Sequence, residues 1–157
     1  MITGVRSALI CDKVERTPDG LTHYQGIQGS QMSAPTQPGL LEVWLTLHLD
    51  IDKRRTAGEV VVTAADIDQR VPFDVTTDRG MTVIAFPLYI PIQGQDTLIV
   101  TITDIGRRDK PFRFKWGLGL TRDARVLEPD VARTVLEQAR QLNRDVLASL
   151  VKPPVKH

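Results

Sequence analysis

The stretch "LEVWLTLHLDID" (41–52) alternates without a break: Leu41, Val43, Leu45, Leu47, Leu49 and Ile51 share one parity, and Glu42, Trp44, Thr46, His48, Asp50 and Asp52 the other. Successive side chains of an extended chain point to opposite faces, so the run fits a half-buried strand and no helix. The pattern returns in "TLIVTITD", with Leu98, Val100 and Ile102 on one side. It returns again in "FRFKWGLGL", with Phe112, Phe114, Trp116, Leu118 and Leu120 inward and Arg113 and Lys115 outward. Three segments with one apolar and one solvated face each are the habit of antiparallel sheets.

The other segments extend this reading. In "MTVIAFPLYIPI" the even residues Ile84, Phe86, Leu88, Ile90 and Ile92 can face inward, while Pro87 and Pro91, four apart, lack their N–H groups along one side. A central strand would lose two ladder bonds there and an outward-facing edge loses none, so this strand is expected at a sheet edge. "TPDG" (17–20) within "SALICDKVERTPDGLTHYQGI" predicts a hairpin, with Pro18 at the first central position of a type I turn and Gly20 at positive φ. Residues 29–39 read as a connection, "GEVVVTAAD" as a fourth strand and "RVPFDVTT" as a weaker fifth. Seven or eight short strands separated by turn chemistry predict an all-β antiparallel sandwich, immunoglobulin-like or C2-like.

The pattern changes period at "EPDVARTVLEQARQLNRDVLASLV", where Val131, Val135, Ala139, Leu142, Val146 and Leu150 form one helical stripe, widened by Leu136 and Leu147. Pro129 suits a first helical turn, and Pro153 and Pro154 end the helix. The expected organisation is a sandwich over 1–125, a C-terminal amphipathic helix over 126–152 and a tail over 153–157. A chain of 157 residues is long enough to bury a core as one domain. Its 41% apolar and 25% charged residues exclude a disordered chain.

Residues 7–70 resemble an uncharacterised family of small bacterial all-β proteins, known only as a domain of unknown function. The likeness rests on "ALICDKVERTPDGLTHYQGI", the proline-bearing loop, "LLEVWLTLHL" and "VVVTAADIDQR". The resemblance implies a sandwich and a role in a bacterial multi-gene system, and it carries over no catalytic residue.

Chemical motifs are sparse. Asp-Ile-Asp occurs twice, at 50–52 and 66–68, and loop aspartates at one end of a sandwich are one way to hold calcium. If 41–51 and 59–65 form a hairpin, roughly 23 Å of strand separates Asp50 and Asp52 from Asp66 and Asp68, beyond the reach of one ion. Asp104 and Asp109 flank two arginines that would repel a cation, so these aspartates read as turn residues. Cys11, the only cysteine, reads as a small buried thiol and fits a reducing compartment. His23 is expected to pair near Val14, His48 shares a polar face with Thr46 and Asp50, and His157 ends the tail, so no zinc spacing exists. No metal or cofactor is expected, and no catalytic residue.

Two surfaces remain as candidates. Between Ile105 and Arg125 seven cations stand against two aspartates, in a chain of net charge +1. Arg107, Arg108, Lys110, Arg113 and Lys115 there form either an anion-binding or partner-binding surface or a solvated face. The aromatic residues alternate with the cations and point inward, which disfavours nucleic acid. The wide arc of the helix, with Val135, Leu136, Leu142, Val146, Leu147 and Leu150, packs on its own sheet or meets a second copy or a partner. The longest apolar run, 83–92, is short of the ~20 residues that cross a bilayer, and the start lacks a signal-peptide pattern. The expectation is a non-catalytic interaction or assembly subunit of a bacterial multi-protein system, cytoplasmic and off the membrane, with a protein partner or as a homo-oligomer. The alternative is a sandwich that binds anionic or phosphate-rich surfaces through 107–115.

Overall fold

The computed structural model describes residues 1–33, 39–52, 55–64, 67–77, 79–92, 97–104, 110–119 and 128–151. The chain is mostly β, with one C-terminal helix. In order it runs β1 (Ile2–Cys11), β2 (Lys13–Arg16), β3 (Thr22–Gln25), β4 (Gln31–Ser33), β5 (Leu40–Ile51), β6 (Arg55–Ala64), β7 (Ile67–Thr76), β8 (Met81–Pro91), β9 (Thr97–Asp104), β10 (Phe112–Gly119) and α1 (Pro129–Val151). Ten strands therefore lie among the described residues, against the seven or eight expected. They make a three-stranded sheet in the order β1-β5-β8, a five-stranded sheet in the order β4-β10-β9-β6-β7, and a separate β2-β3 ribbon.

The alternation in the sequence is the packing pattern. Val43, Leu45, Leu47 and Leu49 of β5 and Phe86, Leu88 and Ile90 of β8 join Val60, Val62, Val71, Phe73, Leu98, Val100, Ile102, Trp116 and Leu118 of the other sheet in one buried cluster. Each such side chain contributes about 1.5–3 kcal/mol by leaving water. Gly58 sits where Phe73 crosses it, and a Cβ there would meet the Thr103 carbonyl oxygen at 2.6 Å.

Two expected hairpins are corrected. β5 and β6 are consecutive but do not pair: β5 lies between β1 and β8, and β6 between β9 and β7. Alternation identifies a strand's faces but not its neighbour, and the short connection carries the chain from one sheet to the other. The first hairpin is also shorter than expected, because β1 pairs with β5 along its length and only Lys13–Gln25 folds back on itself.

β8 is an edge strand, as its prolines require. Its even residues face β5 with their backbone groups: Gly80 O accepts from Ile51 N and Ile92 N donates to Gly39 O, both at 2.9 Å. Odd residues consequently turn their N–H and C=O outward. Pro87 and Pro91 have no N–H to expose there, and Tyr89 between them is covered by the helix. Tyr89 N donates to Asn143 Oδ1 at 3.0 Å, and Asn143 Nδ2 donates to Tyr89 O at 2.8 Å. The side-chain amide thus takes the place of a neighbouring strand's peptide. Gln69 Nε2 of β7, the edge of the other sheet, donates to Asn143 O at 3.3 Å, so one helical residue joins both sheet edges. Asn143 is 1% exposed.

Replacing Asn143 by Leu keeps the volume but strands the Tyr89 peptide groups. Urea unfolding of Asn143→Leu is expected to show a stability loss of about 2 kcal/mol. An unchanged midpoint would mean that the amide contributes nothing to the joint.

Candidate functional site

On the polar parity of β5, Thr46 is buried and Trp44, His48 and Asp50 are half-buried, while Glu42 is exposed. The chain leaves β1 at Cys11, turns, and lays the β2-β3 ribbon across the outer face of the three-stranded sheet. Asp12 N donates to Gln25 O at 2.9 Å at the root of the ribbon. At its tip Gly20 N donates to Thr17 O at 2.9 Å and Gly20 has φ +84°, the turn that Thr17-Pro18-Asp19-Gly20 encodes. Asp19 accepts from the Thr17 hydroxyl and from Leu21 N, which holds its carboxyl below the usual carboxylate range.

The ribbon is joined to the sheet through His48. Ser7 Oγ lies 2.7 Å from His48 Nδ1, and Tyr24 Oη 3.1 Å from Nε2. A neutral imidazole has one donor and one acceptor nitrogen, and both hydroxyls can serve either role. Both contacts therefore survive either tautomer, and the arrangement acts as a structural joint. Burial, with a smaller contribution from Cys11, pushes the Tyr24 phenol up, so it stays protonated. Across the ribbon Val14 stands opposite Tyr24 and Glu15 opposite His23. His23 therefore falls near Val14, one place along from it, as expected.

Beyond this joint the ribbon reaches β8 and leaves a cleft of about 370 Å³ between them, lined by Val14, Arg16, Thr22, Trp44, Val83 and Ala85. Trp44 of β5 stands across from Pro87, Thr46 from Ala85 and His48 from Val83, which sets the indole beside two small β8 side chains. Val83 is 45% and Met81 41% exposed on the same face of β8. Among the described residues of the lining, Arg16 is the one that is charged. The result is an apolar recess with a cation at its mouth and an apolar strip beside it, a surface suited to binding.

The residues named from sequence are spread over other places. Lys110, Arg113 and Lys115 are exposed, Arg113 opposite Thr101 and Lys115 opposite Ile99 on the outer face of the five-stranded sheet; Arg107 and Arg108 lie outside the described residues. On α1, which packs on β8 and β7, Val135, Leu136, Leu142, Val146 and Leu147 are half-buried and Leu150 is exposed. The aspartates have cationic partners: Asp50 accepts from Arg6 at 2.7 Å, Asp52 pairs with the Met1 amino group at 2.9 Å and Asp68 with Arg70 at 3.1 Å. Asp66, Asp109 and His157 fall outside the described residues. Another recess, of about 290 Å³, is lined by Ile2, Thr3, Asp104, Lys110, Pro111 and Phe112, where Ile2 N donates to Asp104 Oδ2 at 2.6 Å and ties β1 to β9.

Trp44, Val83, Ala85 and Arg16 were not singled out by sequence reasoning. The signal was present in "MTVIAFPLYIPI", where Val83, Ala85 and Pro87 make the outward parity apolar as well. Asn143 was hidden in the same way, as a polar residue inside the apolar arc between Ala139 and Val146.

Fold and surface together define a mostly β protein with a helix across two sheet edges and an apolar recess on one outer face. The chain matches no protein-family model, and no curated protein matches it at a significant level. Among the described residues, no helix is long and apolar enough to cross a membrane, and no group of three or more His, Cys, Asp or Glu side chains is placed to hold a metal ion.

Cys11 is fully buried under the ribbon, beside Trp44, whose carbonyl oxygen lies 3.8 Å from its Sγ. Burial, and then the neighbouring Asp12 charge, push the thiol pKa up. A raised pKa means less thiolate, the reactive form, at a given pH. At pH 8 the folded protein should react with a disulfide reagent at least about a hundredfold more slowly than the same protein in urea. Equal rates would show that the ribbon does not cover the thiol.

Proposed function

We propose that this chain is a non-catalytic protein-interaction module, with two sheets that form the layers of a β-sandwich and an outer face that meets a partner. The observation that carries the reading is the apolar strip of Met81 and Val83 beside the Trp44 recess. Apolar side chains held in water on a regular strand are a cost to an isolated protein, and a partner relieves it. The polar groups nearby that are suited to chemistry, Ser7, His48 and Tyr24, are bonded to one another, and the Cys11 thiol is held protonated under the ribbon. This fits a role as a subunit of a bacterial cytoplasmic assembly, in line with the family resemblance of residues 7–70.

The test is paired substitution on the strip. Met81→Glu with Val83→Glu should leave the melting temperature within a few degrees, since both side chains are on a solvent-facing parity. It should also abolish partner copurification or self-association that the unaltered protein shows by size and mass analysis. Recovery of the same assembly from the doubly substituted protein would overturn the reading.

A second reading has its own observation. Lys110, Arg113 and Lys115 are exposed, and none has an ion pair with a described residue. Such a cluster on a flat sheet suits an anionic surface, with affinity that falls as salt rises. If it serves that role, Arg113→Glu with Lys115→Glu will release the protein from heparin at a markedly lower salt concentration; coelution with the unaltered protein removes this reading.

A further inference from the structure

We propose that β8 is a receptor edge, which takes an extended segment of a partner protein as an added strand along Met81–Ala85, with an apolar side chain in the Trp44 recess and a carboxylate on Arg16. The proposal rests on the interaction reading above and names the kind of partner.

The backbone argues first. Odd residues of β8 turn N–H and C=O away from β5, as Tyr89 does toward Asn143. Of that set, Pro87 and Pro91 offer no donor and Tyr89 is bonded to the helix. The Met81 carbonyl accepts from the Thr77 hydroxyl at 3.3 Å. Val83 and Ala85 remain, each with an outward donor and acceptor, and no described residue bonds them. Two residues of this parity can form up to four main-chain bonds with a segment about five residues long. The prolines and the helix bound the slot on one side, which sets its length.

The other edges are poorer templates. β1 is broken by register shifts between Ile2 and Gly4 and between Val5 and Ser7, and Gln28 N already donates to Ile10 O at 2.8 Å. β4 has three residues. β7 carries Pro72 and engages the helix through Gln69. An edge with free peptide groups and exposed apolar side chains, unshielded by charge, is the one that invites pairing.

The side chains then select the segment. On an added strand, alternate residues fall on the outer face beside Val83 and Ala85, at the rim of the recess. Val14, Trp44, Val83 and Ala85 make that recess apolar, and Arg16, whose guanidinium makes no bond or ion pair to a described residue, sets positive charge at its mouth. The fitting occupant is an extended chain with an apolar and an acidic residue two positions apart.

The probe is acetyl-Thr-Val-Thr-Asp-Thr-amide, with a counterpart in which lysine replaces the aspartate. Hydrogen exchange of the Val83 and Ala85 amides, read by NMR on the full chain, should slow at least about tenfold at saturating aspartyl peptide. Arg16→Glu should weaken that peptide at least about tenfold and admit the lysyl one. Val83→Pro, which extends the proline spacing already present on this strand, should abolish binding; an N-methylated peptide, which leaves the protein unaltered, should fail likewise. Unchanged exchange at millimolar peptide, or equal binding by the Val83→Pro protein, overturns the proposal. Protection that appears without peptide as protein concentration rises, and is lost in Val83→Pro, makes the occupant a second copy and overturns the partner segment. An assembly that survives Val83→Pro but is lost in the Met81→Glu and Val83→Glu protein removes the strand slot and leaves the interaction reading standing.

Discussion

The side-chain amide of Asn143 on the Tyr89 peptide is the contact on which the side of the molecule depends. A sheet ends in a row of peptide groups that must be paired, solvated or covered. Here β8 and β7, the edges of two different sheets, lie close enough for one helix to cover both. Asn143 meets the need with the same donor and acceptor that a strand would present. Apolar burial holds the helix to the sheets but leaves it free to slide; the directional pair of bonds to Tyr89, with Gln69 on the helical carbonyl, sets where it stops. A buried polar network has that effect when every member is satisfied.

The outer face of the three-stranded sheet is organised by a different device. A two-stranded ribbon is marginal alone, and this one is held by a few anchors: the main-chain bond at its root, the Ser7, His48 and Tyr24 contacts, and the burial of Cys11 beneath it. It covers β1 and β5 but leaves much of β8's outer parity uncovered. The recess lies between the ribbon and β8, and Trp44 of β5 lines it together with residues of both. The ribbon thereby places Arg16, a residue from early in the chain, beside Val83 from its middle.

Much of the fold was legible in local pattern. The inward residues of β5, β8, β9 and β10 follow from strict alternation, the turn at Thr17–Gly20 from its proline and glycine, and the edge position of β8 from Pro87 and Pro91. These depend on the chain's own geometry within a few residues. The partners were not legible. β5 and β6 read as a hairpin and are in separate sheets, and β1 read as half of the first hairpin and pairs with β5 instead. Of the surface residues, Arg113 and Lys115 were placed outward by parity and are exposed, as is Lys110 ahead of their strand, whereas Trp44 and His48, read as solvated, are half-buried under or beside the ribbon.

By itself the sequence determined which faces of the strands and helix are apolar, where the chain turns and which strand cannot be central, because each of these is set by side-chain periodicity or by the φ and N–H of single residues. Only the tertiary structure decided which strands are neighbours, that an asparagine inside an apolar arc caps two sheet edges, and that Val14, Arg16, Trp44 and Val83 share one recess. Those depend on contacts between residues far apart in the chain, and nothing in the local pattern of either partner names the other.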